Sequence, residues 1–263
     1  AGLRQKYRSE KYREEYAQFQ GSFDDTDEAA WLEQRLLPDP DKVRIRVYVT
    51  HSTHKTLPSL RQGSMIDVHD HDFQSKVSDT FHEAYMTHTS TSPNYQIVAS
   101  LDVGRRQVEL EGFELVKKQL EMAMVLREKV QTHSLLSKYF RFLTVKDMIP
   151  AQYRASGIES YYDPEDGWAD FFAAWRDDEF VLDPTRLTLF VGLTGVNGDT
   201  FKNAYLMDKY GIQINKTSRN TVLFMTNIGT TRSSVAYLID VLSRIAAQLA
   251  AEHEDSSPAE RAV

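Results

Sequence analysis

The chain has 263 residues, with 31 Lys and Arg against 38 Asp and Glu, a formal charge of -7, 41% hydrophobic residues and no cysteine. The acidic balance opposes the attraction to phosphates on which nucleic-acid binding rests, and the lack of cysteine excludes disulfides and thiolate zinc sites. Such a length supplies one large core or two moderate ones; no apolar run reads as long enough to cross a bilayer, so neither a nucleic-acid nor a membrane partner is expected and a cytoplasmic location is the default.

Residues 3–20 alternate basic and acidic side chains around Tyr7, Tyr12, Tyr16 and Phe19, which predicts an amphipathic helix with an aromatic stripe turned to a core. The chain opens without an initiating methionine, which implies a processed or truncated product. GSFDDTDE reads as an acidic loop supplying caps for a helix at AAWLEQRLL, which PDPD ends. Asp27, which follows a polar run and opens that helix, reads as a cap.

KVRIRVYV alternates as a strand does, so a strand over Val43–Val49 delivers the chain to HSTHKTLPSLRQGSMI, and the next strand is expected over Gly63–Val68. Lys55 then stands at the mouth of a sheet rather than on a solvated helix, with Ser52, Thr53 and His54 before it as groups able to hold an anion. An amine so placed suits condensation with an aldehyde. In DVHDHDF, His69 and His71 share a face of an extended chain and could meet one ion, but a hairpin or loop of solvated polar residues leading into the next helix is the simpler reading and no metal is assigned.

KVSDTFHEAYMTH is helical in pattern, and TSTSPNY interrupts it because Pro93 cannot continue a helix. Ser90, Thr91 and Ser92 are left free to bond an anion or to cap the next helix. That helix starts near Asn94 with Ile97, Val98 and Leu101 toward a core, and residues 107–130 form a long amphipathic helix with Met122 and Met124 as core filler. A boundary near residue 131 separates domains at 1–130 and 131–263. In the second, YFRFLTV, LTLFVG, GIQIN and TVLFMTN read as strands, and GDTFKNAYLMDKY and SSVAYLIDVLSRIAAQLAAE as helices, a sheet covered by helices on one side. A further amphipathic helix is expected around Trp168 to Trp175, and the tail EDSSPAERAV is expected to fray.

HSTHKTLPSLRQGSMI resembles the cofactor-lysine segment of the bacterial ornithine/lysine/arginine decarboxylases. The resemblance continues at AYMTHTSTSPNYQIVASLDV and again at LDPTRLTL, GDTF and YGIQI, in the family's order. It implies an α/β fold: the carboxyl-terminal part of an aminotransferase-like large domain, followed by a small α/β domain. It implies pyridoxal 5'-phosphate held as a Schiff base on Lys55, with Lys55 and His54 catalytic and Ser52 and His54 on the cofactor phosphate. It further implies a homodimer in which Thr91 and Ser92 reach the partner subunit's cofactor phosphate. The aspartate that pairs with the pyridine nitrogen in the family is expected upstream of residue 1, since Asp27 is read as a cap, and the chain is then a piece of a longer enzyme.

The activity so implied is decarboxylation of lysine, ornithine or arginine, with the ring as electron sink and the isolated chain weakly active or inactive. A catalytically silent dimerising piece and a related aminotransferase are the alternatives. Arg186, Arg219 and Arg232 are assigned structural or surface roles. A guanidinium fork on the departing carboxylate would stabilise the ground state of a decarboxylation more than its transition state.

Overall fold

The computed structural model describes residues 2–163, 165–214 and 216–255; the rest of the tail beyond Asp255 lies outside them. Contacts divide the chain into two compact units, Ala1–Ser52 with Arg61–Ala99, and Thr53–Leu60 with Ser100–Val263. The border at residue 130 drawn from the helix pattern falls inside the second unit, in the last turn of its long helix. Both units mix helix and sheet.

In the first unit the aromatic-striped segment is two helices, α1 (Gly2–Arg8) and α2 (Glu10–Ser22), because Ser9 caps the second by accepting from the Tyr12 amide. Tyr12 is the buried member of the stripe and donates to the Pro38 carbonyl at 2.8 Å. Helix α3 (Glu28–Glu33) is capped by Asp27, whose carboxylate accepts from the Ala29 amide at 2.9 Å, as the sequence indicated. Strands β1 (Arg46–His51) and β2 (Met65–Asp70) pair antiparallel with Arg46 opposite Asp70, and helix α4 (Ser78–His88) comes after a π-helical turn.

The ribbon leaves Tyr48, Val49 and Ile66 exposed, and a two-stranded ribbon is marginal on its own. Ionic pairing holds it instead. Arg44 and Arg46 both bond Asp72, Arg46 at 2.7 Å, while Tyr48 donates to Asp70 at 2.6 Å. DVHDHDF lies in a hairpin, as expected, with β2 running through Asp70, but its acids are not all solvated: Asp72 is buried among guanidinium donors. His69 and His71 do lie together, ring centroids 5.7 Å apart.

The second unit is built on helix α5 (Tyr95–Thr132), which begins in the first unit and whose 38 residues join the two helical segments foreseen separately. Asn94 starts it by accepting from the Gln96 amide at 3.0 Å. Met122 and Met124 are buried as expected, whereas Val98, expected against a core, is exposed. Helix α6 (Leu136–Tyr139), strand β3 (Arg141–Phe142), helix α7 (Val145–Met148), the short ribbon β4 (Tyr162–Asp163) with β5 (Gly167–Trp168), and helix α8 (Phe171–Asp177) come next. β3 is shorter than YFRFLTV promised because Thr144 and Asp147 form a capping box that starts α7.

After strand β6 (Arg186–Phe190) come helix α9 (Gly198–Thr200), a π-helical turn and helix α10 (Asp208–Tyr210), then strands β7 (Lys216–Thr217) and β8 (Thr221–Met225) and helix α11 (Arg232–Asp255). The sheet is antiparallel in the order β3-β6-β8-β7. Its alternate residues Leu187, Leu189, Val222 and Phe224 face a core shared with α5 and α11, so helices do pack against one face. GIQIN is not a strand through Ile214. Gly211 ends α10 at φ +66, the Ile212 amide folds back to Leu206 at 3.1 Å, and both isoleucines pack on the core.

Gly198 of the GDTF segment lies against the β7–β8 turn, where a Cβ would stand 2.2 Å from the Ser218 carbonyl oxygen. One correction concerns α11. Its stretch Arg232–His253, 22 residues, is long and apolar enough to cross a bilayer, contrary to the sequence reading. Val241, Leu242, Ile245 and Ala246 on one face are fully buried in the core of this unit.

The Asp72 carboxyl is held well below the usual carboxylate range, first by hydrogen bonds from Arg44 and then from Arg46. A depressed folded pKa contributes stability that is complete above the unfolded value, about 3.9, and lost as pH falls through the folded one. Amide exchange of the ribbon in Asp72→Asn should therefore be faster than in the parent at neutral pH, and the two should converge as pH drops below about 4. A difference that persists unchanged in acid would contradict this origin.

Candidate functional site

β1 ends at His51, whose Nε2 lies 2.6 Å from an Asp67 carboxylate oxygen and whose carbonyl accepts from the Ser64 hydroxyl at 2.8 Å. Ser52 is next, exposed, as the last residue of its stretch in the first unit. Thr53, His54 and Lys55 then form one 3-10 turn belonging to the second unit. The Thr53 carbonyl closes the turn by accepting from the Leu57 amide at 2.9 Å. Lys55 is the last residue of the turn, just past the end of β1, and it is exposed.

The turn and the residues after it are fixed to α5. The Leu60 amide donates to Ser100 Oγ at 3.0 Å, and the Thr56 carbonyl accepts from the Ile228 amide at 3.4 Å. Gly104, buried on α5, lets Pro58 and Leu57 approach closely; a Cβ there would lie 3.5 Å from the Pro58 carbonyl oxygen.

Beside the lysine the chain leaves polar atoms unanswered. Thr53 Oγ1, His54 Nδ1, Ser59 Oγ and Gln107 Oε1 are buried with no hydrogen-bond partner among the described residues. Gln107 sits three residues along α5 from Gly104, on the face that receives the segment. Native proteins leave few such atoms, and each costs about 1–3 kcal/mol unless something bonds it. An amine, a hydroxyl and an imidazole nitrogen in one turn fit an aldehyde-bearing, phosphorylated cofactor: the amine for an imine, the others for an anion. They fit it in part, because Asp27, the acid that might have faced a ring nitrogen, is committed to capping α3.

Thr91 and Ser92 lie exposed in the loop of the first unit between α4 and α5, where the Ser92 amide donates to Ser90 Oγ at 3.1 Å. Of the anion-holding groups read from the sequence, Ser52, Thr53 and His54, the Thr53 hydroxyl and a His54 ring nitrogen are buried without a partner among the described residues while Ser52 is exposed, and the structure adds Ser59 and Gln107, which nothing in their local pattern distinguished. Of the arginines, Arg186 bonds Arg127 through its carbonyl at 3.0 Å, and Arg232 is the first residue of α11.

The other family-resembling segments also have definite structural work. In LDPTRLTL, Asp183 accepts from the Thr185 amide at 2.9 Å and hydroxyl at 2.7 Å, turning the carbonyls of Pro184 and Arg186 onto the buried Arg127.

Residues 29–234 match the family model described as Orn/Lys/Arg decarboxylase, major domain. The lysine decarboxylase of Hafnia alvei is 30% identical over 211 residues, 75% of this chain and 26% of that protein. The constitutive ornithine decarboxylase of Escherichia coli is 26% identical over 232 residues, 81% of this chain and 32% of that protein. Among solved structures, the Francisella novicida lysine decarboxylase LdcF superposes with a TM-score of 0.57 at 26% identity, covering 79% of this chain and 29% of that one. The chain belongs to the ornithine/lysine/arginine decarboxylase family, and spans between a quarter and a third of the length of these relatives.

Thr53→Val removes a buried hydroxyl that bonds nothing in the free chain, so it should leave stability unchanged or raise it by about 1 kcal/mol in urea unfolding. A loss of more than about 1 kcal/mol would show that the hydroxyl is already satisfied.

Proposed function

We propose that this chain carries the cofactor-lysine part of a pyridoxal-phosphate-dependent decarboxylase acting on a basic amino acid. What supports the reading most is one turn inside the family match, where Lys55 comes directly after a buried hydroxyl and a buried imidazole nitrogen that bond nothing. The cofactor, when bound, supplies the electron sink for loss of carbon dioxide. Lys55 supplies the amine that holds it and afterwards moves a proton at Nζ. Thr53 and His54, with exposed Ser52 beside them, offer donors to an anionic phosphate; His54 can give or take a proton at Nδ1 according to its tautomer.

The protein works as a homodimer in this reading, with Thr91 and Ser92 on the phosphate in a second copy. The facing carboxylate and the ring-stacking group come from protein outside these residues. The relatives' names divide among lysine, ornithine and arginine, so the substrate class is a basic amino acid with a distal cation.

The exposure of Lys55 favours a second reading, in which the isolated chain is catalytically silent and serves assembly. Pyridoxal phosphate added to the protein, reduced with borohydride and mapped by peptide mass separates the two. The first reading predicts label concentrated on Lys55 and lost in Lys55→Ala, and carbon dioxide released from lysine, ornithine or arginine by the complete enzyme. Label spread over surface lysines without preference for Lys55 would overturn it.

A further inference from the structure

We propose that the cavity beside Arg127, in the second unit, is a binding site for a small aromatic carboxylate. This inference is independent of the decarboxylase reading, because the cavity uses none of the Lys55 segment.

Arg127 lies on the inner face of α5 and is only 7% exposed. Its guanidinium donates from Nη1 to the Leu143 carbonyl at 3.2 Å, and from Nη2 to the carbonyls of Arg186 at 3.0 Å and Pro184 at 3.5 Å. Nε has no partner among the described residues, and no carboxylate there lies within ion-pair distance of this side chain. Three neutral carbonyls orient the group without cancelling its charge. Asp183 is near enough to act on that charge, yet its own hydrogen bonds go to Thr185. Burial pushes the Arg127 pKa down to about 10, which leaves the group cationic at neutral pH. A buried cation with neither counter-ion nor full hydrogen bonding is costly, and truncating a partner of such a charge is among the more damaging changes known in protein interiors.

Arg127 lines a partly enclosed cavity of ≈ 200 Å³. Its walls are otherwise largely aromatic and aliphatic, among them Phe140, Phe142, Tyr161, Tyr162 and Leu193. The other cation at the wall, Arg141, is answered already: it bonds Asp147 at 2.7 Å and lies over the Phe190 ring. Arg127 also lies over a ring, that of Phe142 at 5.8 Å, but unlike Arg141 it has no carboxylate in ion-pair reach among the described residues. A cavity of about 150 Å³ takes a benzene, so this one has room for a single ring and one small substituent. Apolar walls select the ring, and a cationic guanidinium at the wall selects a carboxylate over any neutral substituent of the same shape.

The test is a titration of the whole chain with benzoate, monitored by calorimetry and amide chemical shifts, against benzamide and benzylamine. Benzoate should bind saturably and shift amides around Leu143 and Leu182, with benzamide weaker by about tenfold or more and benzylamine silent. Arg127→Met should abolish the preference, but that variant risks misfolding. Leu193→Trp, which alters a half-exposed side chain at the wall, fills the cavity while leaving the core intact, and should lose benzoate with no change in unfolding midpoint. Equal affinity for benzoate and benzamide, binding unaffected by Leu193→Trp, or no saturable benzoate binding would each overturn the proposal, the last meaning that water alone occupies the cavity.

Discussion

The seating of Thr53–Leu60 on α5 is the contact on which the candidate site depends. It is made where Leu57 and Pro58 pack on α5 at Gly104, with room left for a methyl group, and it is held by the Leu60 amide on Ser100, while the Thr56 carbonyl accepts from Ile228 beyond the helix. Without it the lysine would hang from a ribbon that buries little of its own apolar surface. With it, Lys55 is carried by the unit that has the large core, so the rigidity of that core is passed to the turn. The same seating buries the Thr53 hydroxyl and a His54 imidazole nitrogen with no hydrogen-bond partner among the described residues.

A second constraint organises the rest of that unit. Arg127 draws the chain after Phe142 and the LDPTR turn onto α5 through backbone carbonyls, fixing where β3 and β6 enter the sheet. The residues that make the chain resemble its family are thus of two kinds. Those at 182–189 and 198–214 shape backbone: a carboxylate that folds a turn, a glycine with a carbonyl in the place of its Cβ, a glycine at positive φ. Those at 52–55 are the residues to which the proposed chemistry is assigned.

This division sets how far the sequence could be read. Periodicity located the amphipathic α5, the alternation of β1, β6 and β8, and the interruption before Asn94, because each is a local pattern with a burial consequence. It failed where a non-local partner decides: at GIQIN, where core packing overrides strand propensity, and at DVHDHDF, where arginines two dozen residues away convert apparent loop acids into a buried network. At the site, residue type gave the amine, the imidazole and the hydroxyls, but the burial of Thr53 with Ser52 left exposed, and the part of Ser59 and Gln107, depend on which side of the turn faces α5. No single-chain pattern carries that information. The apolar α11 was underestimated for a related reason, since a helix with a fully buried face and many alanines resembles a membrane span in composition.

The most direct test of the seating is the rate at which Lys55 is labelled by pyridoxal phosphate and borohydride when Gly104 is enlarged. Gly104→Ala meets only ordinary contacts and should label Lys55 as the parent does, whereas Gly104→Leu should displace the segment and bring Lys55 down to the rate of solvated Lys117 and Lys118, with the core's circular dichroism intact. Unchanged preferential labelling of Lys55 in Gly104→Leu would contradict the account.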